Sequence, residues 1–252
     1  MFMHLYFIGL GLNNERDITI NGLEAIKKCD IVYLENYTSN LNCTKVQLEK
    51  FYNKKIILAR RGFVEADDNE ILKNAKTENV AFLVFGDPLV ATTHIDLFLR
   101  ARKEGIKCHI IHNASIVSAV GITGLQVYKF GKITSIPLEN ENIEAPYNVL
   151  KDNLSLGLHT LFLLDLIPEE KRFLSINDAI RYLLKIELKN NQKVFSEKTL
   201  CVGCARLGSE EQFIKAGSAK VLLKQNFGKP PHCLIVPGNL HFMEQEYLKL
   251  HM

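Results

Sequence analysis

The sequence predicts an α/β protein of two domains, at residues 1–122 and 123–252. The run 82–85 is continuously apolar and leads into the turn residues 86–88, which is typical of a strand buried on both faces. Strand and helix patterns alternate over residues 4–111, which predicts a parallel sheet with crossover helices. That alternation is lost in the second half, where the pattern indicates a mixed α/β domain.

The composition predicts a soluble globular protein. The chain has 252 residues, which is long enough to bury one large core or two of ordinary size. Of these residues, 47% are hydrophobic and 23% are charged. The net charge of +3 is too small to indicate a nucleic-acid partner. Apolar runs are too short for a bilayer, and the amino end lacks signal-peptide features. We therefore expect no membrane association and a cytoplasmic location.

Periodicity and cap residues predict the elements of the first half. Apolar residues 4–8 form a strand that ends in a glycine turn, and Asp17 is the expected cap of the next helix. We expect Thr92 and Thr93 to cap a later helix that ends at Gly105. The remaining predicted elements are helices at 45–52 and from Asp67 and Asp68 onward, strands at 30–37, 55–59 and 106–111, and a polar loop at 38–42.

The second half contains fewer strand–helix–strand units. Ser175, followed by Asp178 and an apolar-periodic segment, predicts a capping box and an amphipathic helix. The stretch 137–146 is bounded by prolines and is expected to be a loop. Strands are predicted at 133–138, 160–167, 200–205 and 233–236.

The glycine turn begins like a dinucleotide-binding fingerprint. Gly9 and Gly11 supply its first two glycines, but Asn14 stands where the third is required. Glu35, at the end of the next strand, would be the acid that binds the ribose. The missing glycine argues against a classical NAD fold, although a nucleotide-binding module without catalysis remains an alternative.

Asp87 is the candidate functional residue of the central turn. Ligands of open α/β sheets bind at the carboxyl ends of the strands, where Asp87 is expected to lie. A turn aspartate also commonly accepts hydrogen bonds from its own backbone. The sequence therefore leaves two interpretations open, a ligand anchor and a residue that only closes its turn.

The six cysteines are scattered along the chain. Cys201 and Cys204 form a CxxC, but no second pair accompanies them and no redox helix follows. We expect these thiols to pack as small hydrophobic side chains, without a metal or a disulfide.

Six spaced segments carry a resemblance to a known family. They are LYFIGLGLNNERDITINGLEAIKKCD, FGDPLVATTH, HNASIVSAVGITGLQVYKFGK, GLHTLFLLDL, CARLGS and KPPHCLIVPGNLHFMEQEYL, and they span nearly the whole chain. In these segments the chain resembles the diphthine synthases, which belong to the tetrapyrrole-methylase-like group of S-adenosylmethionine-dependent methyltransferases. The resemblance implies two α/β domains with a cofactor cleft between them.

The resemblance also implies which residues contact the cofactor, S-adenosyl-L-methionine, and its product S-adenosyl-L-homocysteine. Each has a physical role: Leu10 offers backbone between two glycines, Asp87 offers acceptor oxygens, and aliphatic side chains wall an apolar pocket. A core role is equally compatible with the aliphatic residues, and a simple loop role with His232. Because the family commonly has a smaller residue where Leu207 stands, that contact is expected through the backbone. The implied contacts are Leu10, Asp87, Val90, Ser115, Ile116, Leu166, Leu207 and His232.

The reaction implied by the resemblance is repeated methylation of a modified histidine of translation elongation factor 2. That histidine carries a 3-amino-3-carboxypropyl group, and the product is diphthine or its methyl ester. The segments HNASI and LCVG are closer to the eukaryotic type, which adds a fourth methyl group. The resemblance further implies a homodimer, names no catalytic residue and requires no metal. A tetrapyrrole methylase on the same scaffold remains an alternative.

Overall fold

The computed structural model describes residues 3–37, 42–66, 69–167, 170 and 172–252. The chain divides into two compact units, Met1–Ile116 and Val117–Met252. The predicted domain limits and the predicted cleft stay predictions. Most of the polar loop predicted at 38–42, and the helix start predicted at Asp67 and Asp68, lie outside the described residues.

The first unit is built on a parallel sheet. Within the described residues the sheet has five strands in the order β3-β2-β4-β1-β5, and every neighbouring pair is parallel. The parallel sheet predicted from the alternation is therefore confirmed. The strands are β1 (His4–Gly9), β2 (Ile31–Glu35), β3 (Ile57–Ala59), β4 (Val80–Val84) and β5 (Lys107–Ile111).

Strand β4 lies at the centre of this sheet and is buried throughout. Val80, Phe82 and Val84 pack in one hydrophobic cluster, while Ala81 and Leu83 pack in another. Alternate residues of a strand face opposite sides of the sheet, so the two clusters cover its two faces. The prediction of a strand buried on both faces is confirmed.

Helices cover the strands of the first unit, and their caps explain where they begin. Helix α2 matches its predicted bounds because Thr44 and Gln47 form a capping box. Asn69 caps α4 by accepting from the N–H of Ile71 at 2.8 Å. The helices up to the boundary between the units are α1 (Ile20–Lys28), α2 (Lys45–Tyr52), α3 (Arg61–Glu65), α4 (Glu70–Asn74), α5 (Ile95–Lys103) and α6 (Ile116–Ala119).

Two predicted caps are wrong. Helix α1 is capped by Thr19, because the carboxylate of Asp17 instead accepts from the N–H groups of Leu12 and Asn13. Helix α5 begins after His94 rather than at the two threonines. The hydroxyl of Thr92 donates to the carbonyl of Pro88 at 2.7 Å, so it braces the preceding turn.

The second unit is built on a mixed sheet. Within the described residues its strands are ordered β11-β10-β12-β7-β6, with β6 and β7 parallel and the other pairs antiparallel. The mixed α/β prediction is confirmed. The sheet strands are β6 (Thr134–Ile136), β7 (Thr160–Leu164), β10 (Leu200–Ala205), β11 (Phe213–Ser218) and β12 (His232–Val236), and β8 (Leu166–Ile167) pairs with β9 (Arg172–Phe173).

The helices of this unit are α7 (Ala145–Ser155), α8 (Ile176–Asn190), α9 (Ala219–Leu222) and α10 (Phe242–Leu248). The predicted capping box of Ser175 and Asp178 is present at the start of α8. The single strand predicted at 160–167 is interrupted at Asp165, whose carboxylate accepts from the N–H groups of Leu138 and Leu166. Helix α7 begins at the end of the predicted loop, with Pro146 in its first turn, where the missing N–H costs nothing.

The two cysteines of the CxxC lie buried in β10. Because they are three residues apart on a strand, they point to opposite faces of the sheet. The packing role predicted for them is confirmed. Across the part of the chain that the structure describes, no helix is long and apolar enough to cross a membrane.

Candidate functional site

Three loops meet at the carboxyl ends of β1, β4 and β5, the edge where parallel sheets hold ligands. Gly11 and Gly86 form a backbone bridge, with the N–H of Gly86 donating to the carbonyl of Gly11 at 2.8 Å. Their φ angles are +80° and +69°, which favour glycine. A Cβ at Gly9 would lie 2.6 Å from the carbonyl oxygen of Gly86, so the first two loops are in direct contact.

Asn113 ties the third loop to the first. Its side-chain amide donates to the carbonyls of Gly9 and Asp17, each at 2.9 Å. Its side-chain oxygen accepts from the N–H of Ala114 at 2.7 Å. Sequence reasoning gave Asn113 no role. The available signal was a polar amide two residues after a strand at the ligand-binding edge.

Asp87 joins the second loop to the third. One carboxylate oxygen accepts from the N–H of Leu89 at 2.9 Å, as the turn interpretation requires. The other oxygen accepts from Nδ1 of His112 at 2.7 Å and from the N–H of Asn113 at 3.2 Å. A carboxylate offers about four acceptor positions, so these three bonds leave room for one further donor. Asp87 therefore closes its own turn and also retains capacity for a ligand.

The other four candidates of the first unit lie along the same three loops. Leu10 is fully buried in the core and its N–H donates to the carbonyl of Val84 at 2.8 Å. Val90 is half-buried and closes the turn that begins at Asp87. Ser115 is buried and Ile116, the first residue of α6, is half-buried. The structure thus brings together the five predicted residues of this unit, with the side chain of Leu10 in the core.

His94 supports the loop that carries Asp87 and Val90. Its Nδ1–H donates to the carbonyl of Pro88 at 3.1 Å, and its Nε2 accepts from the hydroxyl of Tyr37 at 3.2 Å. Burial lowers the pKa of His94, although the carboxylate of Glu35 opposes this shift. A neutral ring protonated on Nδ1 satisfies both bonds. His94 therefore fixes the backbone after Asp87.

The three remaining candidates lie in the second unit. Leu166 pairs with Phe173, whose ring meets the ring of His232 edge-on at 5.6 Å. Arg206 connects the neighbouring segments, since its N–H donates to the carbonyl of Pro231 at 2.9 Å. Leu207 follows directly and its side chain is buried. The turn at Arg206 and the start of β12 therefore hold Leu207 and His232 in adjacent segments.

His232 retains an unused acceptor. Its Nε2–H donates to the carbonyl of Lys229 at 3.1 Å, which leaves Nδ1 with a lone pair. Among the described residues this buried Nδ1 has no hydrogen-bond partner. Burial lowers the pKa of His232, which favours this neutral form. An unpaired buried acceptor is costly, and a ligand N–H such as that of an adenine amino group would satisfy it.

In the described ranges, no group of three or more histidine, cysteine or acidic side chains is placed to hold a metal ion.

Comparison with known proteins identifies the family. Residues 4–222 match the Tetrapyrrole (Corrin/Porphyrin) Methylases. The chain is 46% identical to "Probable diphthine methyl ester synthase" of Arabidopsis thaliana, with 98% of each chain covered. It is also 46% identical to "Diphthine synthase" of Methanococcus maripaludis, with 97% of each covered. The chain belongs to the diphthine synthase family.

A solved structure agrees with this assignment. A crystal structure of diphthine synthase superposes with a TM-score of 0.91 at 38% identity, covering 98% of this chain and 95% of that one. The resemblance expected from the six segments is confirmed, as is the α/β fold of the tetrapyrrole methylase type. Membership in a methylase family also argues against the NAD-binding module, which the missing third glycine had already disfavoured.

Proposed function

We propose that this protein methylates the 3-amino-3-carboxypropyl-histidine of translation elongation factor 2 repeatedly, giving diphthine or diphthine methyl ester. The observation that supports this most strongly is the match along nearly the full length of both the plant and the archaeal relatives. Similarity over almost the whole chain includes the loops, and in α/β proteins the loops hold the residues that select the substrate.

The proposed methyl donor is S-adenosyl-L-methionine, which supplies an electrophilic methyl group and leaves as S-adenosyl-L-homocysteine. The residues present fit such a molecule. Asp87 can accept one more donor, and Nδ1 of His232 is a buried acceptor without a partner in the described residues. Half-buried aliphatic side chains supply apolar lining. The proposed contacts are Leu10, Asp87, Val90, Ser115, Ile116, Leu166, Leu207 and His232.

The main contribution of the protein is to position the reactants. Alignment of bound reactants lowers a barrier by roughly 7–11 kcal/mol. The loops around Asp87 are suited to this task because backbone bridges, Asn113 and His94 fix them. A rigid site holds its ligands closer to the reactive geometry.

The number of methyl groups is part of the proposal. The plant relative is a methyl ester synthase by name and the archaeal relative a diphthine synthase, and both are 46% identical to this chain. Overall identity therefore favours neither type. The eukaryotic type predicted from HNASI and LCVG is proposed on those segments alone.

The proposed assembly is a homodimer that acts in the cytoplasm on a protein substrate and binds no nucleic acid. These statements rest on the family resemblance and on the near-balanced charge of the chain. Light scattering after size-exclusion chromatography tests the dimer, and a monomer at micromolar concentration would contradict it.

The decisive experiment combines the purified protein, isotope-labelled S-adenosyl-L-methionine and elongation factor 2 that carries the unmethylated precursor. Mass spectrometry of the modified peptide is expected to show three added methyl groups, or four if the ester is formed. Uroporphyrinogen is the control substrate for the alternative tetrapyrrole methylase. Transfer to uroporphyrinogen, with none to the elongation factor, would overturn the proposal.

A further inference from the structure

His112 and Asp87 form a histidine–carboxylate pair at the edge that holds the candidate site. Nδ1 of His112 lies 2.7 Å from a carboxylate oxygen of Asp87. The two side chains differ in exposure, with 70% of the histidine but only 6% of the aspartate accessible to solvent. The pair therefore presents an imidazole outward from a buried carboxylate.

The pair fixes which ring nitrogen is available. An ionised carboxylate only accepts hydrogen bonds, so Nδ1 of His112 must carry the proton. In the neutral ring Nε2 then holds a lone pair and is the basic nitrogen. The N–H groups of Leu89 and Asn113 hold the carboxylate, and Asp87 therefore orients a base in the way that an aspartate does in hydrolase triads.

We propose that Nε2 of His112 accepts the proton that the substrate amine must lose at each methyl transfer. This inference rests on the proposed function. The amine nitrogen forms a bond to the methyl carbon, and the electron pair of the broken carbon–sulfur bond stays on sulfur. One proton leaves the nitrogen for each methyl group gained, so converting an ammonium to a trimethylammonium group releases three protons. His112 takes each proton as an imidazolium and, being exposed, returns it to water.

The other histidines near the candidate residues are less suited to this role. Both ring nitrogens of His94 are already bonded, to the carbonyl of Pro88 and the hydroxyl of Tyr37. His232 also has one free ring nitrogen, but its side chain is buried and cannot pass a proton directly to solvent. His112 combines an oriented lone pair with access to solvent.

The kinetic test compares His112→Gln and His112→Ala with the wild type, and His241→Gln serves as control. His241 is an exposed histidine that caps α10. At pH 7 the His112 variants are expected to lose about tenfold in the rate of methyl transfer under single-turnover conditions, because only about a tenth of a free α-amino group is neutral at this pH. Their affinity for S-adenosyl-L-homocysteine, measured by calorimetry, is expected to stay within about twofold of wild type, since the proposal assigns His112 no cofactor contact.

The pH dependence separates a base from a structural residue. A free α-amino group has a pKa of about 7.7–8.0, so at pH 9 most of the amine is already neutral. The deficit of the variants is therefore expected to shrink by up to about tenfold between pH 7 and pH 9, so that their rate approaches that of the wild type at pH 9. A deficit that does not change with pH would overturn the proposal.

A spectroscopic test does not depend on activity. Nitrogen-15 NMR of the protein alone is expected to show His112 as the Nδ1–H tautomer, and Asp87→Asn is expected to lose that preference. A wild-type rate in His112→Gln, alongside methylation by the wild type, would overturn this inference alone. Absence of methylation by the wild type would overturn the proposed function as well.

Discussion

Glu244 accepts a hydrogen bond from Nε2 of His159 at 2.9 Å, and neither side chain is exposed to solvent. His159 is fixed from its other side, where Nδ1 accepts from the N–H of Gly238 at 2.9 Å. The carboxylate also accepts from the N–H groups of Gln126 and His241 and from the ammonium of Lys129. One buried glutamate thus joins α10 to two other segments of the second unit, the stretch 126–129 and His159 just before β7.

We predict that Glu244→Gln strongly destabilises the protein. The amide keeps the size of the side chain but turns one acceptor into a donor, which would face donors from Lys129 and His241. Removing one partner of a buried ion pair costs about 3–5 kcal/mol. Urea unfolding measures the loss. The matched control is Glu246→Gln on the same helix, where an exposed pair with Lys249 contributes about 0.2–1 kcal/mol. Equal losses in the two variants would contradict the prediction.

Acid is expected to destabilise the protein because it protonates the carboxylates of Glu244 and Glu187. Burial alone would raise the pKa of Glu187, but bonds from the N–H of Phe195, the hydroxyl of Tyr147 and the N–H groups of Lys193 and Val194 outweigh it. They lower this pKa from its usual 4.5 to about 2. The pKa of Glu244 is lowered to about 2 in the same way, because bonds from Gln126, Lys129, His241 and His159 outweigh burial.

The sign of the effect follows from these lowered values. At pH values between 4.5 and 2 the unfolded chain binds protons at these two carboxylates that the folded chain does not, so the free energy of unfolding falls as pH falls through this window. Denaturant unfolding at a series of pH values measures the slope, and Glu187→Gln is expected to flatten it. A slope that is the same in the variant would argue against the contribution of Glu187.

S-adenosyl-L-methionine and its demethylated product are expected to stabilise the protein against heat, whereas NAD is not. A ligand at a hundredfold excess over its dissociation constant contributes about 2.7 kcal/mol to the free energy of unfolding. Differential scanning calorimetry with each ligand makes the comparison. A shift with NAD alone would favour the nucleotide-binding module, and no shift with any ligand would count against the proposed cofactor.

Asp87→Asn distinguishes the two roles of the central carboxylate. The amide can still close the turn through one oxygen, but it loses the charge-assisted bond. Such a bond is worth about 1.5–3 kcal/mol, so the affinity for the cofactor is expected to fall about tenfold to a hundredfold. Calorimetric titration measures the affinity.

Asp96→Asn is the matched control for this substitution. Asp96 lies on α5, where it is exposed and pairs with Arg100 at 2.8 Å. The substitution Asp96→Asn is expected to leave the affinity for the cofactor unchanged. If Asp87→Asn also binds with wild-type affinity while folding normally, Asp87 is not a cofactor contact.

Local sequence signals predicted the elements that have strong caps or continuous apolar runs. The bounds of α2 and the capping box of α8 agree with the structure because Thr44 and Ser175 act on residues only three positions away. The buried strand β4 was evident from its uninterrupted apolar run. Such interactions depend on neighbours in the chain, and a single sequence displays them directly.

The misplaced caps show where local signals compete. Asp17 and Thr92 are both good cap residues, yet each bonds to a turn of the candidate site. Asp17 binds the backbone after the glycine turn, and Thr92 binds the carbonyl of Pro88. Helix α1 is therefore capped by Thr19, two residues later. Nothing in the local pattern could rank these partners.

The sequence by itself determined the α/β class, the parallel sheet of the first half, the family and the turn that contains Asp87. Only the tertiary structure showed that Asp87 is hydrogen-bonded to His112, that Asn113 bonds to Gly9, and that Nδ1 of His232 lacks a partner among the described residues. The reason is physical. Asp87 and His112 are 25 positions apart, and Asn113 and Gly9 are 104 apart. They meet because β4, β1 and β5 are adjacent in the sheet, and that order depends on packing along the whole unit.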